Sequence, residues 1–471
     1  MRLSFVYAPY RHKRFSENLE VVDEDFGLLP PINLAWAAAI AEKAGHQVQL
    51  IDARAEGLSL SEVLQRLRSF GTEAAGFYFS TYMFHDTLAW ARAVREALKV
   101  PILAGGVNLS LYPRETLATG VVDYGVSGLA VDALPALLEA LERDRDPAGI
   151  PGVVWRRGDE IGLEPPRVDR GAFARHPFPA RHLLPNDRYY SITSQRRHFT
   201  VMLTSTGCPQ HCSFCPIAHI PYRVRPVDQV LAEVEQCVHG LGIREIDFFD
   251  ADLAASRGRL RDLCDGLRDR RLDLEWSCRS CIDSLDRPTL ARMAEAGCRK
   301  VYLGIETPDD TLLQKMQKRL DTSRVQEVIR AAQEVGIRPL GFFMTGVPGE
   351  TRRTILRTIR YALSLGLDYA QFSRTIAKPG TDLHRQVCQV TGSDPWREWV
   401  LGRRAEDRLP TPWTDLSARE VEAWTKAVYL AFYFRPGYLG HAVARFRSPD
   451  EAIRSARTAA RMILHAWKRE A

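Results

Sequence analysis

The chain has 471 residues, 45% hydrophobic and 26% charged, with 64 basic and 58 acidic side chains and a net charge of +6; this is the composition of a water-soluble protein too long for one ordinary core, so two or three domains are expected. No Lys/Arg block marks a nucleic-acid partner, and no apolar run is long enough to span a membrane. The stretch Met1–Glu20 has no signal-peptide pattern, which makes the cytoplasm the expected location, and nine cysteines without a secretion signal point to metal binding or burial before a disulfide framework.

The first part alternates short apolar runs with helical patterns. Leu3–Ala8, Val48–Ile51, Ala74–Ser80, Pro101–Ala104 and Val121–Val126 read as buried parallel strands, and Asn33–Ala44, Ser59–Phe70, Thr87–Leu98 and Asp132–Arg143 as helices between them. Strict alternation of this kind predicts a flavodoxin-like, doubly wound parallel sheet over residues 1–145. A proline-rich stretch follows, with a hairpin predicted in Gly152–Leu163 around Gly158-Asp159, and residues 146–195 are expected to be a linker. Alternation resumes with strands at Phe199–Leu203, Glu245–Phe249, Leu274–Ser277, Lys300–Gly304, Arg338–Met344 and Tyr369–Ser373. Helices are predicted at Pro226–Leu241, Arg257–Arg270, Arg287–Ala296, Thr322–Val335 and Thr351–Leu365. Six strands alternating with these helices over 196–392 make a partial (β/α)6 barrel of the TIM type. Residues 393–471 show helical patterns only, as a C-terminal cap.

The chemistry is concentrated in Thr206-Gly207-Cys208-Pro209-Gln210-His211-Cys212-Ser213-Phe214-Cys215, directly after an apolar strand. Three thiolates spaced by three and two residues can wrap one corner of a cuboidal iron–sulfur cluster and leave the fourth iron without a protein ligand. The alternative is a structural zinc site, with His211 or His219 as fourth ligand.

The motif, its aromatic residue before the last cysteine and its place at the first barrel strand resemble the radical S-adenosylmethionine (SAM) superfamily. That resemblance implies a [4Fe-4S] cluster on Cys208, Cys212 and Cys215, with SAM chelating the open iron and yielding a 5′-deoxyadenosyl radical near Phe214, Gly304 and Glu306. Val301-Tyr302-Leu303-Gly304-Ile305-Glu306 is similar to the family's fifth-strand motif, and Gly346-Val347-Pro348-Gly349-Glu350 to the turn after its sixth strand. Where many members carry Gly-Gly-Glu for the methionyl amine, this chain has Phe249-Asp250-Ala251-Asp252, and either Asp250 or Asp252 could serve. Cys281 stands where related chains lead one to expect arginine; it is a buried small hydrophobe or a residue with a part in the radical chemistry.

The first domain resembles that of the cobalamin-binding branch, which includes methyltransferases and the anaerobic bacteriochlorophyll-type cyclase. The match runs through Pro30-Pro31-Ile32-Asn33-Leu34, Ile51–Gly57, Ala104-Gly105-Gly106-Val107-Asn108 and Ser127-Gly128. It implies cobalamin near Gly105, Gly106, Ser127 and Gly128, or else a degenerate domain kept as a scaffold. Arg54 occupies the histidine place of the Asp-x-His-x-x-Gly motif, implying a cobalt without a histidine ligand from that site. His85, at a strand end, faces the corrin or is a solvated turn residue. The C-terminal Trp396, Trp399, Trp413, Trp424, Trp467, Tyr429, Phe432, Tyr433 and Phe434 are expected to pack the cap on the barrel. The function implied is methyl transfer to an unactivated carbon of a small-molecule substrate, with a flavodoxin or ferredoxin as electron donor. A radical SAM cyclase or oxidative rearrangement enzyme is the first alternative, and a non-catalytic cobalamin or redox sensor the second.

Overall fold

The computed structural model describes residues 1–10, 27–403 and 409–435, together with 453 and 456. These divide into two compact units. The first comprises residues 1–10, 30–189 and 393–403, and the second 27–29, 190–392 and 409–435.

The first unit is built on β1 (Arg2–Tyr7), β2 (Gln47–Asp52), β3 (Ala74–Tyr78), β4 (Ile102–Gly105), β5 (Tyr124–Val126), β6 (Val153–Arg157) and β7 (Glu160–Leu163). Their order in the sheet is β2-β1-β3-β4-β5-β6-β7. The first five are parallel, so the chain reverses direction of travel between β1 and β3, and that switch opens a crevice at the carboxyl ends of the strands. Well-formed ends hold the helices: Ser59 and Glu62 form a reciprocal cap on Leu60–Phe70, and Gly71 closes it in the left-handed region. Residues 153–163 were expected within a linker. They instead pair antiparallel with β5 through Tyr124–Trp155 and Val126–Val153, continuing the sheet over an edge that a three-residue strand would leave open.

The second unit contains β8 (Phe199–Met202), β9 (Glu245–Phe248), β10 (Glu275–Ser280), β11 (Cys298–Glu306), β12 (Arg338–Thr345) and β13 (Tyr369–Arg374). They pair in chain order, all parallel, as a curled half-barrel. One set of alternating strand residues, among them Leu303, Ile305, Phe343 and Phe372, is buried in the core that the helices also enter. The other set includes Asp247, Arg279 and Tyr302. Arg279 grips Asp247 with two bonds of 3.0 and 3.1 Å and lies 3.7 Å from the Phe249 ring centre and 4.8 Å from that of Tyr302. At the opposite ends of the strands, Lys300 Nζ meets Glu245 Oε1 at 2.5 Å and donates to Thr193 O at 2.7 Å, tying the entering chain to the sheet.

The C-terminal region, expected as one cap, is divided between the units. Residues 393–403 lie on the first, where Trp396 is fully buried against Tyr82, Trp399 Nε1 donates to Thr81 O at 3.0 Å and Arg397 pairs with Glu115. The helix Ala418–Tyr433 belongs to the second unit and covers β13. Two of its expected packing aromatics do more than fill space. The Ala370 amide donates to Tyr433 Oη at 3.1 Å, the Tyr433 hydroxyl donates to Ala370 O at 2.8 Å, and the Phe372 amide donates to Tyr429 Oη at 3.0 Å. The helix thus satisfies a strand that, among the described residues, is the edge of its sheet. Trp467 lies outside the described residues.

Replacing Tyr429 and Tyr433 together by Phe removes both hydroxyls while keeping the rings. Each buried backbone group so orphaned is expected to cost about 1–3 kcal/mol, and a urea titration followed by tryptophan fluorescence should show the second unit unfolding earlier. An unchanged midpoint would mean that water replaces the hydroxyls at no cost.

Candidate active site

The cysteine loop leaves the half-barrel at the carboxyl end of β8 and is pinned where it begins. Asp250, fully buried at the end of β9, accepts from Thr204 N (3.2 Å), Thr204 Oγ1 (2.9 Å) and Ser205 Oγ. Burial raises the Asp250 carboxyl and these donors oppose the shift. Thr204 O accepts from Arg225 N and from Arg259 Nη2 at 3.1 Å, so departing and returning chain meet at one point. Ser205–Thr206 then pairs antiparallel with Arg223–Val224. Gly207 has φ of +74°, and a Cβ there would run into the carbonyls of Ile220 and Pro221, so only glycine lets the two sides of the loop approach.

Within the loop the Cys215 amide donates to Cys212 O at 3.1 Å, and the Gln210 amide points at Cys208 Sγ at 3.4 Å, a donor suited to a thiolate. Ser213 is held from both sides: its amide donates to Met316 O at 2.9 Å and its carbonyl accepts from Asp382 N at 3.1 Å. Phe214 packs against Leu312, Leu313, Met316, Met344 and Val347. All three thiols are unpaired, as iron ligation requires. Burial pushes Cys212 up to about 11, with the Lys318 ammonium pulling the other way, and burial also raises Cys208. A metal that takes the thiolates must release those protons. His219, the alternative fourth ligand, turns its Nε2 to Asp382 at 3.3 Å.

The remaining expected residues are distributed unevenly. Glu306 ends β11 with φ of +62° after a register shift that begins at Gly304, and pairs with Lys318 at 3.2 Å. Gly304 faces that ion pair, since a Cβ on it would lie 2.8 Å from Lys318 Nζ and 2.9 Å from Glu306 Oε1. Asp250 holds the cysteine loop, so its bonds are spent on structure. Asp252 is likewise occupied, capping Leu253–Ala255 and accepting from Ser280 Oγ (2.7 Å), Ser284 Oγ (2.9 Å) and Cys281 N (3.3 Å). Cys281 is half-buried at the end of β10, its thiol raised by burial and by Asp252. In the turn after β12, Glu350 accepts from the amides of Gly346 and Val347 and burial pushes it up to about 8; Trp413 Nε1 closes over the same turn at Gly346 O. Lys318 was not foreseen: twelve residues from Glu306 and in no motif, it has no sequence signal beyond the apolar spacing of Leu312, Leu313 and Met316 that draws its segment inward.

In the first unit, Gly105 and Gly106 end β4. A Cβ at Gly105 would meet nothing within 4 Å, whereas Gly106, with φ of +108°, has Phe79 O 2.6 Å from where its Cβ would be. Val107 beside them is 43% exposed, an apolar surface at the crevice. Ser127 and Gly128 end the neighbouring strand, and Ser110 Oγ reaches both at 3.4 Å. The Asp-x-Arg-x-x-Gly stretch keeps the frame of the cobalamin motif: Asp52 caps the turn Ala53–Glu56 and Gly57 ends it in the left-handed region. Arg54 on that turn donates to Tyr10 Oη at 2.5 Å and lies 4.4 Å over its ring. The open side of Gly105 and the apolar rim fit a corrin. His85, half-buried, has Nε2 2.7 Å from Trp399 O and its ring edge-on to that indole, so a contact within the first unit engages its imidazole.

A half-barrel with a three-cysteine loop at its first strand, and a separate doubly wound unit with a glycine-lined crevice, define an enzyme of iron–sulfur and corrin chemistry. The family models agree: residues 202–362 match the radical SAM superfamily and residues 21–138 the B12 binding domain. The chain therefore joins these two domains, and it is a cobalamin-dependent radical SAM enzyme whose cofactors are a [4Fe-4S] cluster, SAM and cobalamin. It is 27% identical to an uncharacterised methyltransferase of Pyrococcus horikoshii over 87% of this chain and 89% of the relative. It is 24% identical to the anaerobic magnesium-protoporphyrin IX monomethyl ester cyclase of Cereibacter sphaeroides, over 82% of this chain and 64% of that one. The fold is similar to the radical SAM methyltransferase TsrM of Kitasatospora setae, with a TM-score of 0.66 at 18% identity, covering 83% of this chain and 77% of that one. Among the described residues no helix is long and apolar enough to cross a membrane.

Replacing Cys208, Cys212 and Cys215 together by Ala should abolish iron binding, and Gly207→Ala alone should lower iron well below the roughly four atoms per chain of a full cluster. Anaerobic reconstitution followed by metal analysis checks both. Full iron in the triple variant, or zinc in the wild type, would contradict the cysteine loop as the cluster site.

Proposed function

We infer that this chain transfers a methyl group to an unactivated carbon of a small-molecule substrate, with Cys208, Cys212 and Cys215 as the ligands of its cluster. When bound, the cluster with SAM supplies a 5′-deoxyadenosyl radical and cobalamin supplies the methyl group. The chain's own residues hold and orient. The Ser213 clamps fix the thiols, Phe214 keeps water from one side of them, and the Lys318–Glu306 pair sets a charge beside Cys212. In the other unit, Gly105 would leave room for the ring, Gly106, Ser127 and Gly128 shape the strand ends beside it, and Arg54 stands where a histidine would ligate the cobalt.

The observation that carries methyl transfer is the intact Asp52–Gly57 turn bearing Arg54 on Tyr10. A guanidinium cannot bind the metal as an imidazole does, so Arg54 would offer bound cobalamin no nitrogen ligand from this turn. Such a site would suit cobalamin serving as a methyl carrier. The methyltransferase relative supports the same reading. A one-electron donor such as a flavodoxin or ferredoxin completes the system, and nine cysteines of which none forms a disulfide suit a reducing cytoplasm.

The Co(II) electron-spin spectrum of the wild type loaded with cobalamin should lack nitrogen coupling from the protein, and Arg54→His should acquire it; coupling in the wild type would sink the role given to Arg54. Turnover gives a second test. With substrate, reductant and methyl-deuterated SAM, S-adenosylhomocysteine and 5′-deoxyadenosine should form in about equal amounts with label in the product, because two cofactors divide the work. An unlabelled product with 5′-deoxyadenosine and no S-adenosylhomocysteine would replace methyl transfer by cyclisation or rearrangement.

A further inference from the structure

Between β11 and the helix Val325–Glu334 the chain makes a short detour through the helix Asp310–Lys315, and the end of that detour is locked to the cysteine loop. Met316 is fully buried, its carbonyl takes the Ser213 amide, and its side chain lies in the apolar cluster that holds Phe214. Gln317 then adopts φ of +53°, and Lys318 N closes back on Leu313 O at 3.0 Å. This turn delivers the Lys318 ammonium into the protein, 3.2 Å from Glu306, with both side chains about nine-tenths buried. Three features of β11 coincide at the pair: the register shift, the left-handed Glu306 and the missing side chain at Gly304.

We propose that Lys318 is a positioning residue for reduction of the cluster: its fixed charge beside Cys212 raises the cluster's reduction potential, and Glu306 limits that rise. The inference rests on the assignment of the cluster to Cys208, Cys212 and Cys215. A four-iron cluster on three thiolates is anionic, and reduction from the 2+ to the 1+ core adds one electron from an external low-potential donor with no proton to compensate. In a site shielded from water a nearby cation therefore favours the reduced state and a nearby anion opposes it. Burial alone disfavours the ammonium, and the buried ion pair with Glu306 at 3.2 Å is what compensates its charge. Lys318 lies two residues beyond Met316, whose carbonyl takes the amide of Ser213, the neighbour of Cys212, at 2.9 Å, and this places its charge at the cysteine loop.

The experiment is a spin-resonance-monitored redox titration of the full, anaerobically reconstituted chain without SAM, poised with titanium(III) citrate, with iron counted in every sample. Lys318→Met should move the midpoint to more negative potential, Lys318→Arg should stay near wild type, and Glu306→Gln should move it to more positive potential. Opposite signs are the mark of charge, since packing damage would shift both variants together. No shift, or shifts of one sign, in variants that keep their iron overturns the proposal. So does a Lys318→Met protein whose SAM-free potential is unchanged while its SAM binding weakens, which would give the ammonium to the SAM carboxylate. If Lys318→Met holds no iron, Glu306→Gln decides: a positive shift supports the proposal and none overturns it. Absence of iron from the wild type would be a different failure, that of the cluster assignment.

Discussion

The second unit depends on how one peptide is held. A cluster ligated by three cysteines leaves an iron open only if the loop that carries them cannot rearrange to bring in a fourth ligand or to scatter the three. Ser213, between Cys212 and Phe214, is fixed through its amide by Met316 and through its carbonyl by Asp382. These two clamps come from segments 100 and more residues later in the chain, so the loop is rigid only when the barrel has closed around it. Asp250 performs the same service where the loop begins, with donors at Thr204 and Ser205. A buried carboxylate with three donors is costly to desolvate but geometrically exacting, and here that exactness fixes the direction in which the loop leaves β8.

Charge follows from the same enclosure. Thiols this deeply placed resist ionisation, and the site answers with an ammonium that is itself enclosed and kept charged by Glu306. The backbone of β11 bends to allow it, at a residue with φ of +62° that any side chain but glycine adopts reluctantly. Unusual local geometry thus coincides with a buried ion pair beside the segment that clamps the cysteine loop.

The alternation of strands and helices was legible in the sequence because buried parallel strands are short apolar runs and surface helices carry a 3.6-residue pattern. The cysteine loop was legible because its spacing is rare outside cluster sites. The hairpin at 153–163 was visible as a hairpin but not as sheet, since nothing local says whether its outer strand finds a partner. The division of the C-terminal region was hidden for a similar reason: Trp396 and Trp399 look like any buried indoles, and only the fold shows that they lie on Tyr82 and His85. Asp250 and Glu306 were picked out as polar residues at strand ends, yet their partners, Thr204 and Lys318, are set by three-dimensional closure and leave no periodic trace.

The central claim is that the second unit holds a cluster with one iron reserved for SAM. Mössbauer spectroscopy of the chain reconstituted with 57Fe, before and after SAM is added, tests it most directly. One iron in four should change its isomer shift on addition of SAM while the other three stay as they were. A spectrum with four irons that do not respond to SAM would contradict it.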